Sequence, residues 1–159
     1  MKEQQKKYEL TGEFIEHWSG KKLYRIRALV SFGVVVTGQL GGFVESEKNL
    51  DQSLSGNAWV YGDARVSGDA EVYGDARVRS YAVIYERKMI FWASNVGSEN
   101  GTLTVFNGKD GLIVTRGCFT GAVDEFLAKS AEVHDDKTKN EYKLLIEVAK
   151  SRILGVKDE

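Results

Sequence analysis

The sequence predicts a mainly β protein with an α+β tail. The expected architecture is a short left-handed parallel β-helix, capped by an N-terminal β-hairpin and followed by a βββαα unit. Three observations carry that expectation. Aliphatic residues recur every six positions, at Val60, Val66, Val72 and Val78. A Gly-Asp-Ala triplet returns at one phase, starting at Gly62, Gly68 and Gly74. On both sides of this stretch the six-residue period gives way to strand alternation and then to helical spacing. The chain of 159 residues therefore divides into 1–36, a hairpin cap; 37–88, the repeat; and 89–159, the α+β unit.

The elements follow in chain order. Tyr8 to Ile15 and Lys22 to Val30 read as strands joined by a turn at Ser19-Gly20, with His17 and Trp18 beside it. In the second strand Tyr24, Ile26, Ala28 and Val30 share a face, and Arg25 and Arg27 point the other way. Gly38, Gly41 and Gly42 mark a bend into an irregular entry coil, and "ESEKNLDQS" is a polar loop.

In the repeat, a strand turns a corner every six residues, so three sides make one coil of a triangular prism. Leu54 extends the valine row backward and Ile84 extends it forward. These residues fill the interior, the alanines from Ala58 to Ala82 point into the tight corners, and the glycines take the bends. Asp63, Asp69 and Asp75 fall on different corners. No carboxylate then stacks on another across coils spaced about 4.8 Å apart. Asn57 is expected on Asp75, Tyr81 on Asp63 and Arg87 on Asp69. A calcium-binding repeat needs a nine-residue unit, which this six-residue period does not supply. A plain antiparallel meander explains alternation but not a fixed Gly-Asp-Ala phase. The repeat spans under two coils and leaves strand edges to be covered. Capping and self-association are both expected.

In the tail, Met89 to Ser94, Thr102 to Phe106 and Leu112 to Arg116 read as strands separated by glycine turns. A first helix over Gly121 to Val133 puts Val123, Phe126, Leu127 and Ala131 on one face. A second opens with a Thr138–Glu141 capping box, buries Tyr142, Leu145, Ile146, Ala149 and Ile153, and ends at Gly155.

Composition narrows function. The net charge of −1 gives no strong nucleic-acid signal. A single cysteine excludes an intrachain disulfide and suits a reducing compartment. The charged start has no apolar stretch behind it, and no apolar run approaches a membrane span. The expectation is a cytoplasmic protein without a membrane partner. His17 and His134 lie outside the repeat, Cys118 reads as a small hydrophobe, and "HDD" has no metal-ligand spacing. No cofactor or metal is predicted, and Gly97 to Gly101 reads as a turn rather than a phosphate loop.

Recognition is what remains. Trp59, Tyr61, Arg65, Tyr73 and Arg77 are expected to stand outward on the prism, Trp59 near Arg77 and Tyr61 near Arg79. Aromatics with arginine are the common composition of binding hot spots. Arg116, with Trp92 across the sheet, is a second candidate site for an anion, and Arg25 with Arg27 a third.

"NAWVYGDARVSGDAEVYGDARV" resembles the hexapeptide-repeat family, whose best-known members are trimeric acyltransferases. "KLYRIRALVSFGVVVTGQLGGFVESEKNLDQS", leading into the repeat, is similar to the start of bacterial transferase-like members. "FWASNVGSENGTLTVF", "VTRGCFTGAVDEFLAKS" and "EYKLLIEVAKSRI" resemble a small module of tailed-bacteriophage proteins. The resemblance of the tail implies a phage-encoded accessory protein in the host cytoplasm, and the lack of a convergent catalytic set, with arginines and aromatics expected outward, makes it a non-catalytic binding protein. It would act in counter-defence, by blocking a host defence protein or sequestering a small nucleotide signal, as a homo-oligomer. The rivals are an acyltransferase using acetyl-coenzyme A and a virion structural or assembly protein.

Overall fold

Glycines and short aliphatic strands build the centre of the molecule, and longer strands close it at each end. The computed structural model describes residues 6–17 and 19–155. Trp18, expected in the hairpin turn, lies outside the described residues. Tyr8–Glu16 (β1) and Lys22–Ala28 (β2) pair antiparallel, and β2 pairs in turn with Leu40–Val44 (β3). The second strand ends before Val30. A register shift between Arg25 and Arg27 interrupts the shared face expected along it.

The repeat contributes Trp59–Val60 (β4), Arg65–Val66 (β5), Arg77–Val78 (β6) and Val83–Ile84 (β7). Pairing is parallel and joins residues eighteen apart, Trp59 with Arg77 and Arg65 with Val83. The entry coil joins with a longer step, Phe43 opposite Arg65 and Leu50 opposite Val72. A meander would pair neighbours antiparallel, so this register settles how the repeat associates. Every interior valine and Ala58, Ala64, Ala70 and Ala76 are fully buried. The bends at Gly62, Gly68 and Gly74 have φ of +56°, +59° and +65°, which a side chain tolerates poorly. Gly41 and Gly42 serve another need. A Cβ on either would lie 2.6 Å from a carbonyl oxygen of the next coil.

Leu54 does not extend the interior row; it is 53% exposed. Ser53 and Ser55 link hydroxyls at 2.6 Å in a turn that carries it outward, and Leu50 takes the interior place. Asn57 does stack on Asp75, donating its N–H to the carboxylate at 3.1 Å. Arg87 lines one cleft with Asp69, and its ion pair is with Glu71 at 3.0 Å.

Both ends of the coil stack are covered within the chain. At the first, Gln52 accepts the N–H groups of Lys7 and Tyr8 and donates to the Tyr8 carbonyl. This pins β1 to the entry coil. Burial drives the Lys7 ammonium below the usual lysine range, while Asp51 and Asp75 pull it back. Burial raises the Tyr8 hydroxyl above its usual range, with Glu47 and Asp51 adding to the effect.

At the other end lies an antiparallel sheet of Ile90–Val96 (β8), Gly101–Gly108 (β9), Gly111–Arg116 (β10) and Phe119–Ala122 (β11). The fourth strand was not expected. The chain reverses at Gly117, where φ is +58°, and pairs Arg116 with Phe119 and Thr115 with Thr120. The tail is thus ββββαα rather than βββαα. Ile90, Phe106 and Ile113 pack on the coils, and Leu103, Val105 and Val114 pack on the helices. Thr104 and Thr115 are buried and bond the N–H and carbonyl of Arg77, at 3.2 and 2.8 Å. They satisfy a coil edge that water would otherwise have to meet.

Val123–Val133 (α1) and Asp136–Leu154 (α2) follow. The buried face of α1 runs through Val123, Phe126 and Ser130, and Ala131 falls past its edge into solvent. Asp135, not Thr138, caps α2; its carboxylate accepts the Thr138 N–H at 2.8 Å and is held below the usual range by that bond. Glu141 reaches across to accept the Gly97 N–H. Gly155 ends the helix at φ +84°. The described residues form three open sheets and two C-terminal helices, a mainly β arrangement.

Candidate functional site

The coil phase alone does not decide which side chains face water. Trp59, expected outward, is fully buried. It does point away from the coil interior, but Tyr8 and Phe32 pack edge-on against it, with ring centroids at 6.1 and 5.4 Å. The segment before the repeat folds over that side, so Trp59 is a core residue and not a binding one. Its register opposite Arg77 holds. Arg79 lies over the Tyr61 ring at 4.7 Å, as the eighteen-residue step requires. Arg65 is exposed on β5.

The two N-terminal arginines are engaged locally. Arg25 bonds Glu13 at 2.8 Å and the Gly41 carbonyl at 2.7 Å, and lies over Phe43. Arg27 is paired with Glu9. Arg116 and Trp92 are not one site. Trp92 aligns through Thr104 with Thr115, one row from Arg116, so the two side chains leave opposite faces of the sheet.

Two clefts at the seam between coils and tail collect the other candidates. The first, of about 400 Å3, is lined by Tyr73, Trp92 and Phe91, with Arg87, Arg152 and Glu71 around them. Tyr73 is 51% exposed and meets Trp92 edge-on, with centroids 4.5 Å apart. The tyrosine comes from a coil and the tryptophan from β8, so only closure of the tail onto the repeat creates the pair. Gly74 permits it: a Cβ there would sit 3.2 Å from the indole nitrogen. The cleft combines ring surfaces with two cations, one of them already paired with Glu71.

The second cleft, of about 310 Å3, lies between Arg77 and Asp75 of the repeat and Glu99, Asn100, Thr102 and Arg116 of the tail. Arg116 donates from Nε to the Tyr142 hydroxyl at 2.8 Å. Its Nη2 is buried without a hydrogen-bond partner, and the Glu99 carboxylate stands 4.0 Å away. Arg77 and Arg79 approach the Gly117 carbonyl at 3.5 and 3.4 Å.

Sequence reasoning missed Arg87 and Arg152, whose place depends on tail docking, and Glu99, which sat in a stretch read as a turn. The i, i+18 rule could have brought Arg87 near the groove, because it places that residue above Asp69. Cys118 is exposed in the β10–β11 turn, not buried as expected. His134 contacts the Ser130 hydroxyl at 2.7 Å. Among the described residues no group of three or more His, Cys, Asp or Glu comes together, and no helix is long and apolar enough to cross a membrane. No protein-family model matches the chain, and no curated protein is significantly similar to it.

Proposed function

We propose that this chain is a binding protein that sequesters a small nucleotide, and that its groove around Tyr73 and Trp92 is the binding site. A base would lie against the exposed face of Tyr73, and phosphates would meet Arg152 and Arg87. The single observation that carries the reading is the Tyr73–Trp92 pair, open to solvent and flanked by arginines. Stacking on an aromatic contributes about 1–3 kcal/mol per base, and every base has a ring face to offer. Such a site recognises and holds, which suits action by occlusion rather than by chemistry.

The same reading makes the parallel ladders a short left-handed β-helix of the hexapeptide type. The six-residue period and the positive-φ glycines at each bend support it. The resemblance of the tail sequence to a bacteriophage module supports a role in counter-defence in an infected host's cytoplasm. Self-association belongs to the proposal through the outward prism sides, where Tyr81 is 64% exposed.

Calorimetric titration with nucleoside monophosphates, triphosphates and cyclic dinucleotides tests the groove. We expect one class to bind and Tyr73→Ala to weaken it by about five- to a hundredfold. No binding by any class, or equal binding by Tyr73→Ala, overturns the reading. A thermal shift with acetyl-coenzyme A, or recovery of the protein from purified virions, would favour the rivals instead.

A further inference from the structure

We propose that the Arg77–Arg116 cleft is a second, separate site, that it takes the phosphoryl group of a small anion, and that Glu99 occupies it as an internal substitute. Arg116 anchors the tail wall of this cleft. Its guanidinium is oriented by the Tyr142 hydroxyl at 2.8 Å and rests 5.8 Å from that ring's centroid. One edge of the fork is therefore fixed. The other edge carries Nη2, buried and lacking a hydrogen bond. A buried, unmet charged donor is costly, and a planar fork of this kind matches an oxyanion with two parallel bonds.

Glu99 partly answers that donor. At 4.0 Å its carboxylate balances charge but is too far for a hydrogen bond. It is also 78% exposed, so it enters the cleft from a solvent-facing loop. The loop is anchored at its start and open at its tip. Gly97 donates to Glu141 and packs so tightly on Tyr142 that a Cβ would come within 2.0 Å of the hydroxyl. Asn100, after Glu99, turns with φ +54°. Swinging Glu99 outward leaves Arg116 in place, because Tyr142 holds it.

The opposite wall supplies more positive charge. Arg77 and Arg79 converge on the Gly117 carbonyl at 3.5 and 3.4 Å, long contacts that an anion would readily replace. Asn57, Asn100 and Thr102 add neutral hydrogen-bonding groups. Asp75 adds an opposing charge, but its carboxylate already accepts the Asn57 N–H. With Glu99 displaced, Arg77 and Arg116 line the cleft against one aspartate, and Arg79 adds a third positive charge beside the Gly117 carbonyl at its rim. A dianionic phosphoryl group fits that balance better than a carboxylate. This cleft shares no lining residue with the aromatic groove.

The test uses inorganic phosphate as the probe, with ionic strength held constant by chloride. Nitrogen-detected NMR follows the Arg116 Nε–H and the backbone amides of Gly101 and Gly117. Saturable shifts centred on these groups are expected in the full chain, with smaller shifts from acetate. Glu99→Gln should tighten phosphate binding by about two- to fivefold, the scale of one exposed charge pair. Arg116→Lys, which keeps the charge but loses the fork, should weaken it. Tyr73→Ala should leave it unchanged, so failure of the nucleotide reading and failure of this one are distinguishable. Equal affinity in the wild type and Glu99→Gln, or no saturable shift in either, would overturn the proposal.

Discussion

The repeat and the tail bury their side chains by different rules. In the repeat a residue's position in a six-residue phase decides whether it faces the coil interior. In the tail each strand and helix is placed by the surface it covers. Trp59 shows where the first rule ends: it faces outward from the coil, yet is fully buried because Tyr8 and Phe32 lie over it. Tyr73, in the repeat as well, stays half open, with Trp92 edge-on against it. Phase describes the coil; what docks on the coil decides exposure and therefore the site.

The sharpest way to break this comparison is at two aromatics of the repeat. Trp59→Ala should destabilise the protein by about 3–5 kcal/mol, the cost of emptying a large buried site. Tyr81→Ala, at 64% exposure, should change stability by less than about 0.5 kcal/mol. Urea denaturation of both variants measures the contrast, and equal effects would mean that Trp59 is not covered. A smaller effect tests the seam. Thr104→Val removes the acceptor for the Arg77 N–H and should cost about 1–3 kcal/mol, with faster amide exchange at Arg77. Thr120→Val, on the exposed last strand, should be close to neutral.

The smallest effect is in acid. The Gly68 N–H donates to Glu45 at 2.8 Å and holds its carboxyl below the usual range. Its stabilising contribution is present above the unfolded value of about 4.3 and is lost as pH falls through the lower folded value. Wild type should therefore lose more stability than Glu45→Gln between about pH 5 and pH 3. Matching acid limbs would show that the bond contributes nothing.

Much of the coil was legible because the interior is one-dimensional: residues eighteen apart must meet, and Asn57 with Asp75 and Tyr61 with Arg79 do. The stripe of α2 was legible from its helical spacing, and Gly155 from its place after it. Leu54 misled because periodicity does not see the serine turn that carries it outward. β11 was hidden because Phe119 to Ala122 runs straight into a helix, and only its pairing with β10 marks it as a strand. The site was half legible. Tyr73, Trp92, Arg77 and Arg116 were named from residue type, but their sorting into two clefts follows from the face each strand turns to the coils. Glu99 and Arg152 carried no local signal.

Both clefts exist only if the valine rows stack in parallel and the tail sheet sits on the last coil. Methyl-labelled NMR tests that arrangement directly, through contacts between side chains eighteen residues apart. Strong effects are expected between Val60 and Val78 and between Val66 and Ile84, together with contacts from Phe106 into the same cluster. Cross-strand contacts pairing Val60 with Val66 in an antiparallel register, with none at the eighteen-residue step, would contradict it.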